Sequence, residues 1–329
     1  MNLSRRSFLG VTLSSFALTK TISLYGNDIA RDTREYHVSV SIEALEHEPE
    51  LFEIFQKAGV SAVWLSGFLY GHWYYKPETI QLWKQKFESA GIPAYVINVP
   101  FGHPGDSLGS YSGTVPLTPP THWKLGMNYD GKTFAGTSLH SPATEENVQA
   151  LEVLKGHRIE KVFLDDDFRL ARSPGVIGGC FCEEHKNNFL AKYGYNHSEW
   201  ENLIDSIQKR SLTKVLRDWV EFTCDELTNC FRTLESRVPD IELGIMVMYM
   251  GSEKAGIRLT DYRNRLFRVG ELMFDDRSFG NVKGKCNELF SALFHRRFTT
   301  PEKSFSETTA FPADQLSAKN MSAKLVIST

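Results

Sequence analysis

The stretch from Phe163 to His185 holds the densest set of reactive side chains in the sequence. Three consecutive carboxylates, Asp165, Asp166 and Asp167, end an apolar run. At the end of a strand, such carboxylates can protonate a leaving group, attack an electrophilic carbon or bind hydroxyls. A solvated acidic turn is the alternative. The position of the stretch in the fold decides between the two interpretations.

A group of metal-binding residue types follows in the same stretch. Cys180, Cys182 and His185 form a Cys-x-Cys-x-x-His pattern, and two thiolates with an imidazole suit zinc. The alternative is two ordinary thiols that pack a turn. The pattern predicts a structural zinc site that would hold the loop after the acidic run. Three histidines are candidates for the fourth ligand: His103, His122 and His140.

Alternating apolar and amphipathic segments must position these residues. We predict strands at residues 35–45, 60–71, 92–102, 160–168, 241–251, 271–280 and 303–312, with an eighth at 323–329. We predict helices at residues 49–58, 77–91, from 141, 183–193, 212–238, 261–269, from 281 to about 297, and 314–321.

Repeated β-α units without an antiparallel meander predict an α/β fold, a (β/α)8 TIM barrel. A doubly wound open sheet is the alternative. That fold usually has a glycine-rich phosphate turn after its first strand, and Ser41 to Leu45 contains no glycine. The chain ends at the eighth predicted strand, so we expect a barrel that closes in an unusual way or is incomplete at its C-terminus.

In a barrel of this kind, chemistry takes place at the C-terminal ends of the strands. A carboxylate on strand four opposite one on strand seven fits retaining glycoside hydrolysis, in which the two lie about 5–5.5 Å apart. A wider separation would indicate inversion, and acids that only cap helices are the plainer alternative. Aromatic and polar neighbours would bind sugar rings and hydroxyls. The predicted substrate-binding residues are Trp64, His72, Trp73, Asn98, His103, Asp165, Asp166, Tyr249, Asp275 and Asp276.

The segment "LDDDF…GCFCEEHKNNFLAKYG" resembles family 42 β-galactosidases, which are clan-A-type (β/α)8 glycoside hydrolases. The resemblance implies that Asp167 is the acid/base and Glu307, in "SETTAFP", the nucleophile. It implies that Asp166 stands at the position of an asparagine that contacts the sugar 2-hydroxyl, and Asp165 at that of the leading aspartate. It implies a structural zinc and no catalytic cofactor.

This sequence departs from the family pattern at several positions. Aspartate replaces glutamate at Asp167 and asparagine at Asp166, and His185 stands in place of a third cysteine. The gap between Asp167 and Cys180 is also longer than in the family. Because of these differences, the sequence does not identify the sugar or the linkage.

The N-terminus resembles a twin-arginine export signal. Arg5 and Arg6 precede Phe8 and Leu9, and a mild apolar run extends from Val11 to Leu24. We therefore expect residues 1–30 to be a signal peptide read by the twin-arginine export machinery, and residues 31–329 to be one TIM-barrel catalytic domain. The mature protein would act in the periplasm or outside the cell, and no cysteine follows the apolar run to carry a lipid anchor.

Composition excludes several other classes of protein. The chain has 329 residues with a formal net charge of −3, which gives no electrostatic basis for nucleic-acid binding. Five cysteines do not form a disulfide framework in a chain of this size.

The resulting prediction is a secreted enzyme that cleaves O-glycosidic bonds of a carbohydrate substrate. The alternatives are a metal-dependent sugar isomerase or epimerase-like barrel, with a metal at Asp167, Asp276, Glu307 and His103, and a non-catalytic glycan-binding barrel.

Overall fold

Within the part of the chain that the structure describes, seven parallel strands form the centre of the molecule. A computed structural model describes residues 35–101, 119–134, 139–165, 168–171, 176–248, 251–270, 275–308 and 315–328. Each strand pairs with the next one along the chain. The strands are β1 His37–Val40, β2 Ala62–Leu69, β3 Ala94–Val99, β4 Lys161–Leu164, β5 Glu242–Met248, β6 Leu266–Gly270 and β7 Ser304–Ser306.

Helices follow the strands and cover the outside of the sheet. They are α1 Ile42–His47, α2 Glu50–Ala58, α3 Pro77–Ser89, α4 Ala143–Gly156, α5 Glu183–Tyr193, α6 His197–Gln208, α7 Lys214–Arg237, α8 Asp276–Phe279, α9 Val282–His295 and α10 Ala318–Ser328. The main core lies between strands and helices, where outward apolar side chains such as Val63 and Ile245 are fully buried. Across the described ranges, no helix is both long and apolar enough to cross a membrane.

The sheet curls until its first and last strands face each other. The ring of His37 on β1 lies 4.9 Å from that of Phe305 on β7, measured between centroids. Phe305 also contacts Trp64 on β2 and Phe163 on β4 across the same interior. A parallel sheet that encloses a layer of side chains in this way is a TIM-barrel arrangement. The predicted fold class is confirmed.

Several predicted elements are wrong. The sixth strand is Leu266–Gly270, which overlaps a segment predicted to be a helix. The prediction is wrong because Arg268 interrupts the apolar pattern by which a buried strand is recognised. Residues 276–279 of the predicted sixth strand form helix α8 instead. Residues 323–328 of the predicted eighth strand belong to α10, in spite of their β-branched residues. Helix α6 was not predicted at all.

The first strand is also shorter than predicted. It ends at Val40 because Ser41 caps helix α1, with its side-chain oxygen accepting a hydrogen bond from the backbone N–H of Ala44. Helix α5, by contrast, has the predicted bounds. It begins after Cys182 and ends at Tyr193, and Gly194 caps it in a left-handed conformation that glycine tolerates well.

Candidate functional site

A buried arginine joins two carboxylates inside the barrel. Nη1 of Arg268 on β6 lies 2.6 Å from Oδ1 of Asp165, and Nη2 lies 2.7 Å from Oε1 of Glu307. Asp165 directly follows β4, and Glu307 directly follows β7. One guanidinium therefore bridges the C-terminal ends of the fourth and seventh strands, where barrel enzymes hold their reactive groups.

Sheet hydrogen bonds fix the backbone on both sides of this arginine. The N–H of Asp165 donates to the carbonyl of Asn98 at 2.7 Å, and the N–H of Glu307 donates to the carbonyl of Val269 at 2.9 Å. The backbones of Asp165 and Glu307 thus extend the pairing of β4 and β7 by one residue each. Residues on paired strands hold a site more rigidly than residues on loops do.

The three charged groups differ in exposure. The side chain of Asp165 is 0% exposed, that of Arg268 9% and that of Glu307 17%. Burial tends to lower the pKa of the Arg268 guanidinium, but the adjacent carboxylates of Asp165 and Glu307 raise it above its ordinary value. Arg268 is therefore a permanent cation, and Glu307 is the member of the group that solvent reaches most easily.

Sequence patterns alone did not identify Arg268. The only signal is a charged residue inside the apolar segment "LFRVG", which reads as an interruption of a strand. An arginine inside a barrel needs carboxylate partners, because an unpaired buried charge is strongly unfavourable. Those partners come from strands distant in sequence.

Two of the predicted substrate-binding residues lie inside the barrel wall. Trp64 is buried near the start of β2, and its indole N–H donates to Nδ1 of His37 at 3.0 Å. Asn98 is buried on β3, and its side-chain oxygen accepts from the N–H of Phe68 at 2.9 Å. The contacts of both side chains join barrel strands to each other.

The remaining described residues of the predicted set lie in two places. His72 and Trp73 are half-buried in a short strand that pairs with the end of β2, and Trp73 packs against Phe68. Asp275 caps helix α8 by accepting from the N–H of Ser278 at 2.6 Å.

Asp276 is exposed and accepts hydrogen bonds from the segment that leads into α10. Its Oδ1 accepts from the backbone N–H of Ser317 at 2.9 Å and from the side-chain amide of Asn320 at 2.7 Å. These hydrogen bonds lower the pKa of Asp276. The described contacts of Asp275 and Asp276 are those of capping and packing. Four further predicted residues lie outside the described residues: Asp166, Asp167, His103 and Tyr249.

The cysteine motif forms a four-residue cluster. The ligand atoms of His140, Cys180, Cys182 and His185 all lie within 4.8 Å of one another. Nε2 of His140 is 3.6 Å from the sulfur of Cys180 and 3.6 Å from that of Cys182, and Nδ1 of His185 is 3.2 Å from the sulfur of Cys182. Two thiols and two imidazoles gathered in this way match the donor set of a structural zinc site.

The surroundings of the cluster suit metal binding. Nδ1 of His140 lies 3.3 Å from a carboxylate oxygen of Glu184, which would leave Nε2 directed at the cysteines. Burial lowers the pKa of His185 to about 4, which keeps its imidazole neutral and able to bind a metal. Burial also raises the pKa of the Cys180 thiol to about 11, so a bound metal would have to displace its proton. Of the three histidines considered as fourth ligand, His140 joins the cluster, whereas His122 contacts Glu146.

The cluster is continuous with the loops that follow β4 and β5. The N–H of Gly179 donates to the carbonyl of Leu170 at 2.6 Å, and the N–H of Leu170 donates to that of Ala255 at 2.8 Å. Gly178 donates in addition to Lys254 at 2.7 Å. A metal at the cluster would therefore fasten the loop after the acidic run to the loop after the next strand.

The sequence matches no protein-family model and no curated protein. Its fold is similar to that of the β-galactosidase from the psychrophilic Marinomonas ef1, with a TM-score of 0.50 and 12% identity over 80% of this chain and 46% of that one. The β-galactosidase from Rahnella sp. R3 gives 0.48 and 12% over 82% and 43%. The glycoside hydrolase domain of PelA from Pseudomonas aeruginosa gives 0.38 and 11% over 86% and 97%. This chain spans less than half the length of the two β-galactosidases.

Proposed function

We propose that this protein is a glycoside hydrolase-like enzyme that cleaves O-glycosidic bonds of a carbohydrate, with Glu307 as nucleophile. The observation that carries the proposal is the bridge of Arg268 between Glu307 after β7 and Asp165 after β4. A retaining glycosidase needs two carboxylates that face each other across the substrate. The barrel fold shared with the β-galactosidase from Marinomonas ef1 is compatible with this chemistry.

We propose Asp167 as the acid/base, as the family resemblance implies. Asp165 is poorly suited to this role, because its side chain is 0% exposed and is paired with Arg268. An acid/base must exchange protons with the leaving group and with water in each catalytic cycle. In the proposed mechanism, Asp165 therefore pairs with Arg268 and does not contact the substrate, which contacts Glu307 instead.

The experiment is hydrolysis of a panel of aryl glycosides by the wild type and by Glu307→Gln and Asp167→Asn. We expect a loss of several orders of magnitude in kcat for both variants on the substrate that the wild type cleaves. Asp205→Asn is the matched control, because Asp205 is an exposed residue of helix α6 and belongs to no predicted site. A 2-deoxy-2-fluoro glycoside of the same sugar should label Glu307, as located by mass spectrometry. Wild-type rates in Glu307→Gln would contradict the proposal.

The same assay separates the two alternative functions. A sugar isomerase would lose activity on chelation and would convert free sugars. A binding-only barrel would retain the glycan without turnover. Over the residues that the structure describes, the one group of three or more neighbouring histidine, cysteine or acidic ligands is the Cys-His cluster.

We propose that the cluster of His140, Cys180, Cys182 and His185 holds a structural zinc ion. Four protein ligands complete a tetrahedral shell and leave no position for a reacting water, so the ion would stabilise loops and take no part in catalysis. Its contribution to activity would be indirect, through the backbone hydrogen bonds that connect Gly179 and Leu170.

We also propose export through the twin-arginine route. Residues 1–34 lie outside the described residues, so the proposal depends on the sequence pattern around Arg5 and Arg6. Fusion of this segment to a reporter that is exported only when folded provides the test. Replacement of both arginines by lysine should keep the reporter in the cytoplasm. Export that persists in this variant would contradict the route.

A further inference from the structure

We infer that Arg268 is the positioning residue of Glu307 and that Asp165 is its permanent counter-ion. The inference rests on the proposed function, because it assigns a role to each partner of the nucleophile. Its position at the end of the fourth predicted strand placed Asp165 among the predicted substrate-binding residues. The contacts of Arg268 favour a different role.

The shape of the guanidinium supports this division of roles. Arg268 uses Nη1 for Asp165, at 2.6 Å, and Nη2 for Glu307, at 2.7 Å. The group is planar and rigid, so a contact that fixes one nitrogen also fixes the direction of the other. Asp165 therefore sets the orientation in which Arg268 meets the carboxylate of Glu307.

The exposed fractions of the three side chains indicate the side from which a substrate would approach. Side-chain exposure rises from 0% at Asp165 through 9% at Arg268 to 17% at Glu307. A substrate can approach Glu307 most readily, and Asp165 is the member that it reaches least. Arg268 contacts Oε1 of Glu307, so the guanidinium fixes the direction of the carboxylate from its buried side.

The chemistry explains why one arginine would need two carboxylates. In the first step, an oxygen of Glu307 forms a bond to the anomeric carbon, the glycosidic C–O bond breaks, and the acid gives its proton to the leaving oxygen. In the second step, water attacks that carbon, its proton goes to the base, and the ester bond breaks to return the carboxylate.

While the ester exists, Glu307 carries no negative charge. Arg268 would then be an unpaired cation in the barrel if Glu307 were its only partner, and an unpaired buried charge is strongly unfavourable. Asp165 keeps Arg268 paired throughout the cycle. The covalent intermediate therefore contains no unpaired buried cation, whereas it would contain one if Arg268 were paired with Glu307 alone.

The test compares three variants with the wild type on the aryl glycoside that it cleaves. Arg268→Gln should lower kcat/KM by about 10²-fold, the scale expected when a reacting group moves by about 1 Å. It also leaves Asp165 buried without its cation, so loss of stability alone could explain the result. The double variant Asp165→Asn with Arg268→Gln removes both charges and should recover stability in urea unfolding without recovering kcat/KM.

Arg268→Lys keeps the charge but not the planar fork, and its kcat should fall between those of the wild type and Arg268→Gln. Arg268→Lys still tests the positioning role if neither Arg268→Gln nor the double variant folds. A wild-type kcat in Arg268→Lys would overturn the inference. Activity that returns with stability in the double variant would also overturn it, because Arg268 would then have only a structural role.

The result can be distinguished from failure of the proposed function. If Glu307→Gln is inactive while Arg268→Gln matches the wild type, the proposed function stands and the positioning role is wrong. If Glu307→Gln retains wild-type hydrolysis, the proposed nucleophile is wrong and the inference falls with it.

Discussion

The side-chain oxygen of Asn98 on β3 accepts a hydrogen bond from the backbone N–H of Phe68 on β2, at 2.9 Å. The register between these two strands shifts between Ser66 and Leu69, and Asn98 supplies an acceptor within the shifted stretch. Local irregularities of this kind bend a strand and re-aim the residues that follow it. Asn98 thus shapes the end of β2, where the chain turns toward His72 and Trp73.

The close approach of Asn98 leads to a prediction for Gly67. A Cβ atom at this position would lie 2.3 Å from Oδ1 of Asn98 and 2.4 Å from a methyl carbon of Val96. Gly67→Ala should therefore lower the free energy of unfolding by about 1–3 kcal/mol, the usual cost of overpacking a core. Urea unfolding measures the effect. Gly156→Ala is the control, because no heavy atom apart from its chain neighbours and the backbone of its own helix lies within 4 Å of its Cβ position. Equal stability of the two variants would contradict this account.

A buried ion pair behind β7 gives a second prediction. Nζ of Lys324 on α10 contacts Glu288 on α9, and the hydroxyl of Ser306, next to Glu307, donates to the same carboxylate at 2.9 Å. Lys324→Met leaves Glu288 buried without its cation, and we expect a loss of about 3–5 kcal/mol in unfolding free energy.

Two further variants separate this pair from general effects on helix α10. Addition of Glu288→Leu to Lys324→Met removes both charges and should recover most of the lost stability. Lys319→Met, at an exposed position of the same helix, should change stability by less than about 0.5 kcal/mol. A double variant as unstable as Lys324→Met would rule out an uncompensated charge as the cause.

Arg268 and Lys324 mark two places where the sequence did not predict the secondary structure correctly. Apolar periodicity located six of the seven parallel strands among the described residues, because each is an apolar segment between turn residues. It failed at β6, where Arg268 is paired with residues from β4 and β7 that no local pattern reveals. It also failed at α10, where "AKLVIS" has a strand-like composition. Helical spacing there directs Lys324 toward Glu288.

The Cys-His cluster predicts a measurable metal content. Purified protein should contain one zinc ion per chain, and Cys182→Ser should lose it, because Cys182 lies within 4.8 Å of every other ligand atom of the cluster. Removal of zinc by a chelator should lower the Tm, since the ion would join the loops after β4 and β5. Cys224→Ser, a buried thiol on α7 outside the cluster, is the control. Unchanged zinc content in Cys182→Ser would contradict the site.

His37 predicts the pH dependence of stability. Burial lowers its pKa below the ordinary 6.5, although the hydrogen bond that its Nε2–H donates to Glu35 acts in the opposite direction. Its Nδ1 accepts the indole N–H of Trp64 and so must stay unprotonated in the fold. Above pH 6.5 the folded and unfolded states both hold a neutral His37. Below it the unfolded state binds a proton that the folded state resists, so stability falls as the pH drops toward the folded pKa.

The slope of this loss reaches about 1.4 kcal/mol per pH unit for one proton. Urea unfolding at pH 8.0, 7.0, 6.0 and 5.5 should therefore show a shallower decline in His37→Gln than in the wild type, even though the variant is less stable at pH 8.0. His47→Gln, which replaces an exposed histidine on α1, should keep the wild-type slope. If His37→Gln keeps it too, the acid sensitivity of the barrel arises elsewhere, and the neutral His37–Trp64 contact does not limit stability below pH 6.5.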